Sequence, residues 1–377
     1  MSAGQVIGLG CRLNIAESER IGELLDGHRE LVVINSCSVT EEAVRHTRRA
    51  IRRTRRANPL ARLIVTGCAA ETERADLARM PEVDAVVANS AKLDLASYGL
   101  DALSTASPGH APRRRTRAFV AIQNGCDHAC TFCIIPQGRG ASRSQPVAAV
   151  LREVETHLAR GVAEIVLTGV DVTSWGADLA GNPRLGELVQ TILDVFPGLG
   201  RLRLSSLDGA EIDPLLDQLI GGEMRVMPHL HLSLQHGHDL ILKRMRRRHL
   251  RRDAEQLVMR LRDRRPGVAI GADLIAGFPT ETDAHHCANL SLVRELGIVH
   301  GHVFPFSPRH GTAAARMPQL DPATIAARAA ELRAAVAATR AKWLASLVGT
   351  PLRVLAERDN RGYAENYARV ATPGIAP

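Results

Sequence analysis

The chain of 377 residues carries 48 Lys+Arg against 40 Asp+Glu, a formal charge of +8, and 45% of its residues are hydrophobic. That content excludes general disorder and, at roughly 100–200 residues per domain, provides for about two or three domains. Aromatic residues make up only 3%, which excludes wide base-stacking platforms and leaves charge as the means of any nucleic-acid contact.

Lysine occurs only at Lys92, Lys243 and Lys342, so arginine supplies the basic surplus, in dense runs at residues 45–56, 113–117 and 243–252. Composition bias explains part of the total; the clustering points to phosphate. Seven cysteines, an odd number, do not make a disulfide framework. No basic n-region precedes an apolar stretch at the start, and no run of about 18 apolar residues predicts a membrane span. The expectation is a cytoplasmic protein with no membrane partner and with thiolates available for metal or catalysis.

The first hundred residues repeat one pattern, a short apolar run ending in a cysteine: VIGLGC at Cys11, LVVINSC at Cys37 and LIVTGC at Cys68. Helical stretches over residues 17–25 and 41–56 lie between them, the second stopped by Asn58-Pro59. Intervals of 26 and 31 residues fit βαβ units and a parallel sheet, whose strands all end at one edge. The three cysteines therefore converge there.

Residues 98–112 read as a linker rich in Ser, Pro, Gly and Ala. Candidate strands follow at 118–123, 164–169, 201–206, 229–235, 268–275 and 299–304, with helical patterns such as 147–160 and 281–296 between them. Six β/α units predict a barrel or partial barrel rather than a closed eight-fold one. An Ala-rich helix over 322–347 is closed by Gly349-Thr350-Pro351. The tail turns to strand chemistry in LRVLAE and NYARV, separated by Asp359-Asn360 and Gly362, as the beginning of a β module too short to close. The predicted fold is α/β, with units at 1–97, 113–348 and 349–377.

The sharpest motif is Cys126-Asp127-His128-Ala129-Cys130-Thr131-Phe132-Cys133. Three thiolates spaced C-x3-C-x2-C in one loop after a strand can wrap a corner of an iron–sulfur cube and leave the fourth iron open. Zinc with His128 as fourth ligand is the competing reading. It is disfavoured, because no other zinc knuckle is present and the loop sits at a barrel mouth.

C-x3-C-x2-C after the first barrel strand resembles the radical S-adenosylmethionine superfamily. The resemblance implies that the open iron chelates S-adenosylmethionine, whose reductive cleavage gives a 5′-deoxyadenosyl radical that the protein places and shields. GLGCRLN, NSCSVT and VTGCAAE around Cys11, Cys37 and Cys68, with IVLTG, RLRLSSL, HLHLSLQHG, ADLIAGFPTET and FPFSPRHGT, resemble the methylthiotransferases over almost the whole chain to about residue 350. In that family three such cysteines hold a second 4Fe-4S cluster with one iron free to carry sulfur or methylsulfide, and a second S-adenosylmethionine supplies the methyl group. QNGCDHACTFCIIPQGRGASRS looks most like the branch that converts N6-threonylcarbamoyladenosine beside the tRNA anticodon to its 2-methylthio derivative. The isopentenyladenosine branch and the ribosomal-protein aspartate branch are alternatives. A non-catalytic iron–sulfur RNA-binding or electron-transfer protein ranks below them, since electron transfer needs neither open irons nor a six-unit barrel.

The resemblance implies S-adenosylmethionine contacts from Gly169 and Asp171, a loose form of the superfamily's amino-group motif, and from Ser205, Ser206, Gln235 and Gly277. Arg139 and Arg143 are candidates for substrate phosphate or the S-adenosylmethionine carboxylate. In HLHLSLQ the polar residues His229, His231, Ser233 and Gln235 alternate with leucines and face the barrel interior. Cys287, isolated in a helical stretch, reads as a buried small hydrophobe. Two features depart from the family: His236 follows Gln235 where serine is usual, and the tail resembles only about half of an RNA-binding TRAM domain. A reduced flavodoxin- or ferredoxin-type protein is the expected electron donor, and tRNA, through its anticodon stem-loop, the expected macromolecular partner.

The helix around residues 45–56 carries Arg45, Arg49, Arg52 and Arg53 among seven arginines, with no acid after Glu42 within it; a merely solvated helix would mix in acids at i, i+4. It is the expected tRNA contact. Charge reversal at Arg49, Arg52 and Arg53 lowers tRNA affinity and flattens its dependence on salt; binding unchanged across a salt series refutes the assignment.

Overall fold

The computed structural model describes residues 5–28, 30–100, 116–358 and 360–375. Four parallel strands, Gln5–Gly8, Leu31–Ser36, Arg62–Gly67 and Ala85–Val86, lie side by side in chain order. Helices cover both faces, so the strand Leu31–Ser36 is buried throughout. Its Ile34 packs with Ile51 of the helix Glu41–Ala57, while its Val33 packs with Ile21 of the helix Arg12–Leu24. That first helix starts earlier than its apolar pattern predicts, because Cys11 is its N-cap. The second is capped by Thr40, whose side chain accepts from the Ala43 N–H at 3.1 Å, with Glu41 and Glu42 in its first turn.

Six parallel strands follow in two hydrogen-bonded sheets, Arg117–Ala121, Glu164–Thr168 and Leu202–Leu204 in one, His229–Gln235, Ala269–Ala276 and Ile298–Pro305 in the other. The third breaks at Ser205 and resumes as Ser206–Leu207; before the break Leu202 pairs with Ile165, and after it Ser206 pairs with His231. Among the described residues the first and sixth strands are not paired, so this is a partial barrel, open along one seam. One apolar core runs through it from Val120 to Val336. A short antiparallel pair, Gln123–Asn124 with Arg143–Ser144, brackets the cysteine loop. Gly125 sits there at φ +77°, and a Cβ on it would lie 1.9 Å from the Ala141 carbonyl oxygen.

The tail folds as three antiparallel strands, Val354–Glu357, Arg361–Ala364 and Arg369–Ala371. Gly362, expected to mark a turn, is in the middle strand, where a Cβ would meet the Leu355 carbonyl at 2.5 Å. Residues 101–112 of the expected linker lie outside the described residues. Tyr98, read as the linker's start, is buried core whose hydroxyl donates to the Lys92 carbonyl at 2.7 Å.

Residues 113–115 of the second basic run also fall outside, but Arg117 does not meet solvent. Its Nε is 2.5 Å from Glu164, which also takes Arg201 at 2.9 Å and Arg203 at 2.9 Å. Glu164 is fully buried, and burial alone would raise its pKa, but hydrogen bonds from Arg203 and the charges of the three arginines hold it down at about 2. Arg117 also bonds Glu357 at 2.9 Å, which pins the tail to the base of the barrel.

Glu164→Gln leaves three arginines without their anion and costs about 3–5 kcal/mol in chemical denaturation. Because the folded pKa is depressed, the wild-type contribution is present above the ordinary carboxylate range and is lost as pH falls through about 2. A variant as stable as wild type at neutral pH would show that the cluster contributes nothing.

Candidate active site

The loop after the first barrel strand presents its three sulfurs to one cavity of about 260 Å³. Each sulfur accepts one N–H: Cys126 from the His128 backbone at 3.4 Å, Cys133 from the Ile135 backbone at 3.5 Å and Cys130 from the Arg247 guanidinium at 3.7 Å. Burial pushes the Cys126 thiol up to about 12 and the Cys133 thiol to about 11, so the thiols are neutral until a metal displaces their protons. Three convergent sulfurs, each already supplied with a donor, suit an iron–sulfur cluster.

His128, the fourth ligand on the zinc reading, is engaged by two carboxylates. Its Nε2 lies 2.7 Å from Asp171 and 3.7 Å from Glu211. These carboxylates raise its pKa to about 10. Asp171 stands 4.0 Å from the Cys126 sulfur and accepts from the Ser174 hydroxyl at 2.5 Å. Gln123 fixes its loop by accepting from the backbone N–H groups of Val170 and Asp171 at 3.0 and 2.9 Å. A carboxylate here, held against a cation, is suited to an ammonium group.

Of the residues expected at the cofactor, Asp171, Ser206 and Gln235 line the cavity, Gln235 at φ +69°. Gly169 packs on Gln123 just outside it, and Ser205 is buried with its hydroxyl unpartnered among the described residues. Gly277 does not line the cavity; its N–H donates to Glu281 at 3.0 Å and a Cβ would strike Ile325 at 2.7 Å. Arg143 is exposed on its short strand, away from the cavity. Sequence reasoning missed Asp208, Asp273 and Arg247, all on the wall. Arg247 bonds Asp208 at 2.8 Å and the Ser233 carbonyl at 2.7 Å. It lay hidden in a basic run; Asp273 carried a usable signal as an acid within an apolar strand.

The N-terminal cysteines converge at the carboxyl edge of their sheet. Cys37 and Cys68 are buried and Cys11 exposed. A Cβ on Gly10 would lie 2.9 Å from the Cys37 sulfur. Burial, reinforced by the neighbouring Cys68 and Cys11, raises the Cys37 thiol to about 11. Val39 and Thr40, directly after this cysteine's loop, line the same cavity as Cys126, Cys130 and Cys133. The segment that follows Cys37 thus borders the space into which Cys126, Cys130 and Cys133 open.

Two expectations are corrected. Arg139 is buried, bonded to Glu17 at 2.9 and 3.1 Å, to Asn14 at 2.5 Å and to Asn124 at 2.8 Å, and cannot reach tRNA; its partners lie more than a hundred residues away or in a separate loop. Cys287 is exposed on the helix Asp283–Glu295, because the buried face of that helix is taken by His286, Asn289 and Leu292.

The basic helix is partly neutralised by tertiary acids. Arg45 pairs with Glu42, Arg48 with Asp76, Arg55 with Asp84, and Arg52 lies 3.8 Å from Glu82. Arg49, Arg53 and Arg56 are exposed with no ion pair among the described residues.

A model described as the Radical SAM superfamily matches residues 120–292, and one described as Uncharacterized protein family UPF0004 matches residues 4–88. A solved radical S-adenosylmethionine methyltransferase, TsrM from Kitasatospora setae, shares the fold with TM-score 0.55 at 17% identity, over 78% of this chain and 66% of that one. The chain is thus a radical S-adenosylmethionine protein. It is 40% identical to the threonylcarbamoyladenosine tRNA methylthiotransferase MtaB of Rickettsia prowazekii, covering 97% of this chain and 90% of that protein. It is also 34% identical to the tRNA-2-methylthio-N(6)-dimethylallyladenosine synthase of Cereibacter sphaeroides, covering 93% and 86%. The chain belongs to the radical S-adenosylmethionine tRNA methylthiotransferases. Among the described residues no helix is long and apolar enough to cross a membrane.

Gly10 holds φ +99° beside Cys37. Gly10→Ala costs about 1–3 kcal/mol in strain and pushes the Cys37 loop away; thermal unfolding and thiol labelling of Cys37 read both effects, and an unchanged labelling rate refutes the displacement.

Proposed function

We propose that the protein converts N6-threonylcarbamoyladenosine beside the tRNA anticodon to its 2-methylthio derivative. The observation that carries this reading is the cavity bordered by Cys126, Cys130 and Cys133 and by Val39 and Thr40, which follow Cys37, and the 40% identity to a relative of that named activity favours this substrate over the dimethylallyl one.

Cys126, Cys130 and Cys133 would hold one 4Fe-4S cluster, and Cys11, Cys37 and Cys68 a second. With one iron open on each, these groups would supply the electron for cleaving S-adenosylmethionine and a seat for the incoming sulfur. Asp171 takes the ammonium of S-adenosylmethionine in place of His128, with which it is paired at 2.7 Å. Ser206 and Gln235 orient its sugar. Phe132, Ile134, Ile275 and Phe304 on the cavity wall keep water from the reacting carbon. Arg49, Arg53 and Arg56 meet tRNA phosphate, with Arg52 and Arg45 adding charge beside them. The enzyme would work in the cytoplasm with a reduced flavodoxin- or ferredoxin-type donor.

Anaerobic reconstitution yields roughly eight irons per chain, as two four-iron cubes require; zinc alone overturns the reading. Cys126→Ala abolishes deoxyadenosine formation, whereas Cys37→Ala spares it and stops sulfur insertion. Loss of both activities in Cys37→Ala would refute the division of roles. Mass spectrometry of tRNA nucleosides from cells lacking the gene decides the substrate: disappearance of the methylthio form of threonylcarbamoyladenosine supports it, and disappearance of the isopentenyl form instead replaces it.

A further inference from the structure

Beneath the N-terminal cysteines lies a group of buried charges that the proposed reaction leaves without a purpose. Arg139 comes from the barrel unit, six residues after Cys133, and Lys92 from the N-terminal unit. Both close on Glu17 of the first helix: the Arg139 guanidinium at 2.9 Å and the Lys92 ammonium at 2.6 Å. All three side chains are at least 95% buried. Lys92 also donates to Asn89 at 2.6 Å, and Asn89 in turn donates to the Gly138 carbonyl at 2.6 Å.

Two buried cations share one carboxylate here, and the other acceptors, Asn14, Asn89 and Asn124, are neutral. Burial lowers the Lys92 pKa and the Glu17 charge opposes that shift; with both basic side chains protonated, one positive charge is left over. An uncompensated buried charge is costly, and structures retain one where an anion meets it. Arg139, Lys92 and Glu17 act electrostatically on Cys68, and a Cβ on Gly138 would come within 3.4 Å of the Cys68 Cβ. The surplus thus faces the three N-terminal thiols, which become anionic when they bind metal.

We propose that Arg139 and Lys92 are the charge-compensating and positioning residues of the Cys11, Cys37 and Cys68 centre, and that they set its reduction potential. This rests on the reading of those cysteines as ligands of a second four-iron cluster. Arg139 does more than supply charge. Its fork reaches Asn14, three residues after Cys11, and Asn124, two residues before Cys126, so one side chain ties the loops of both centres together. Its planar, multidentate donor set suits that task; an ammonium would keep the charge and lose part of the bridge.

The test uses the full chain, reconstituted anaerobically, with iron analysis and a redox titration followed by electron paramagnetic resonance. Removing a nearby positive charge makes a cluster harder to reduce. Arg139→Gln and Lys92→Gln therefore shift the N-terminal cluster to more negative potential and leave the barrel cluster where it is, while Arg139→Lys stays near wild type. Should Arg139→Gln fail to fold, Lys92→Gln carries the comparison. Eight irons with both potentials unmoved overturn the proposal, as does an equal shift of both clusters. Wild-type protein that takes up only four irons instead refutes the two-cluster reading, and the proposal with it.

Discussion

Every strand of both large sheets runs parallel to its neighbours, and this constraint decides the rest. Parallel strands bring all their carboxyl ends to one edge, where the loops are free to carry chemistry. Three cysteines separated by 26 and 31 residues meet because each ends a strand of the same sheet. The barrel loop with Cys126, Cys130 and Cys133 follows the same rule. The N-terminal unit then sets its cysteine edge over the mouth of the barrel, held by Arg309 to Glu73 at 2.8 Å and Ser307 to the Glu41 N–H at 3.2 Å. A cavity between two such edges is the geometric result.

Arginine does two opposed jobs in this molecule. At the base of the barrel three guanidiniums surround Glu164, and at the unit junction Arg139 and Lys92 surround Glu17. In both places cations outnumber the central carboxylate, and both clusters are buried. Part of the basic surplus behind the net charge of +8 therefore sits in the interior. On the outer face of the helix Glu41–Ala57, by contrast, Arg49, Arg53 and Arg56 are exposed with no ion pair among the described residues.

The elements legible in sequence were those whose signal is local. Apolar runs ending in cysteine located the N-terminal strands, alternation located His229–Gln235, and Asn58-Pro59 located a helix end. C-x3-C-x2-C marked the cavity before any fold was visible. The failures share a cause: each depended on a partner distant in the chain. Arg139 and Arg143 look alike as arginines beside a cysteine loop, yet one is buried on Glu17 and the other is exposed. Arg48 and Arg55 looked unpaired because Asp76 and Asp84 arrive from another segment. Gly362 looked like a turn because close backbone approach within a sheet leaves no trace in composition.

The tail is best understood through Tyr367. Its ring stacks on His229 at 4.9 Å and on Tyr363 at 4.8 Å, with the Arg203 guanidinium 4.7 Å from its centre. Its hydroxyl accepts from Arg12 at 3.1 Å, and Arg12 directly follows Cys11. One aromatic side chain from the tail thus touches the floor of the barrel and the helix that begins at an N-terminal cysteine. Cationic and aromatic contacts of this kind each contribute of order 1 kcal/mol, but here they act together, with Arg117 to Glu357 and Arg203 to the Glu365 carbonyl at 2.9 and 3.1 Å. The resemblance to an RNA-binding module suggested a surface for gripping tRNA. The contacts give these residues a further role, that of a strut: they brace the open-seamed barrel from below and tie the tail to the helix that begins after Cys11.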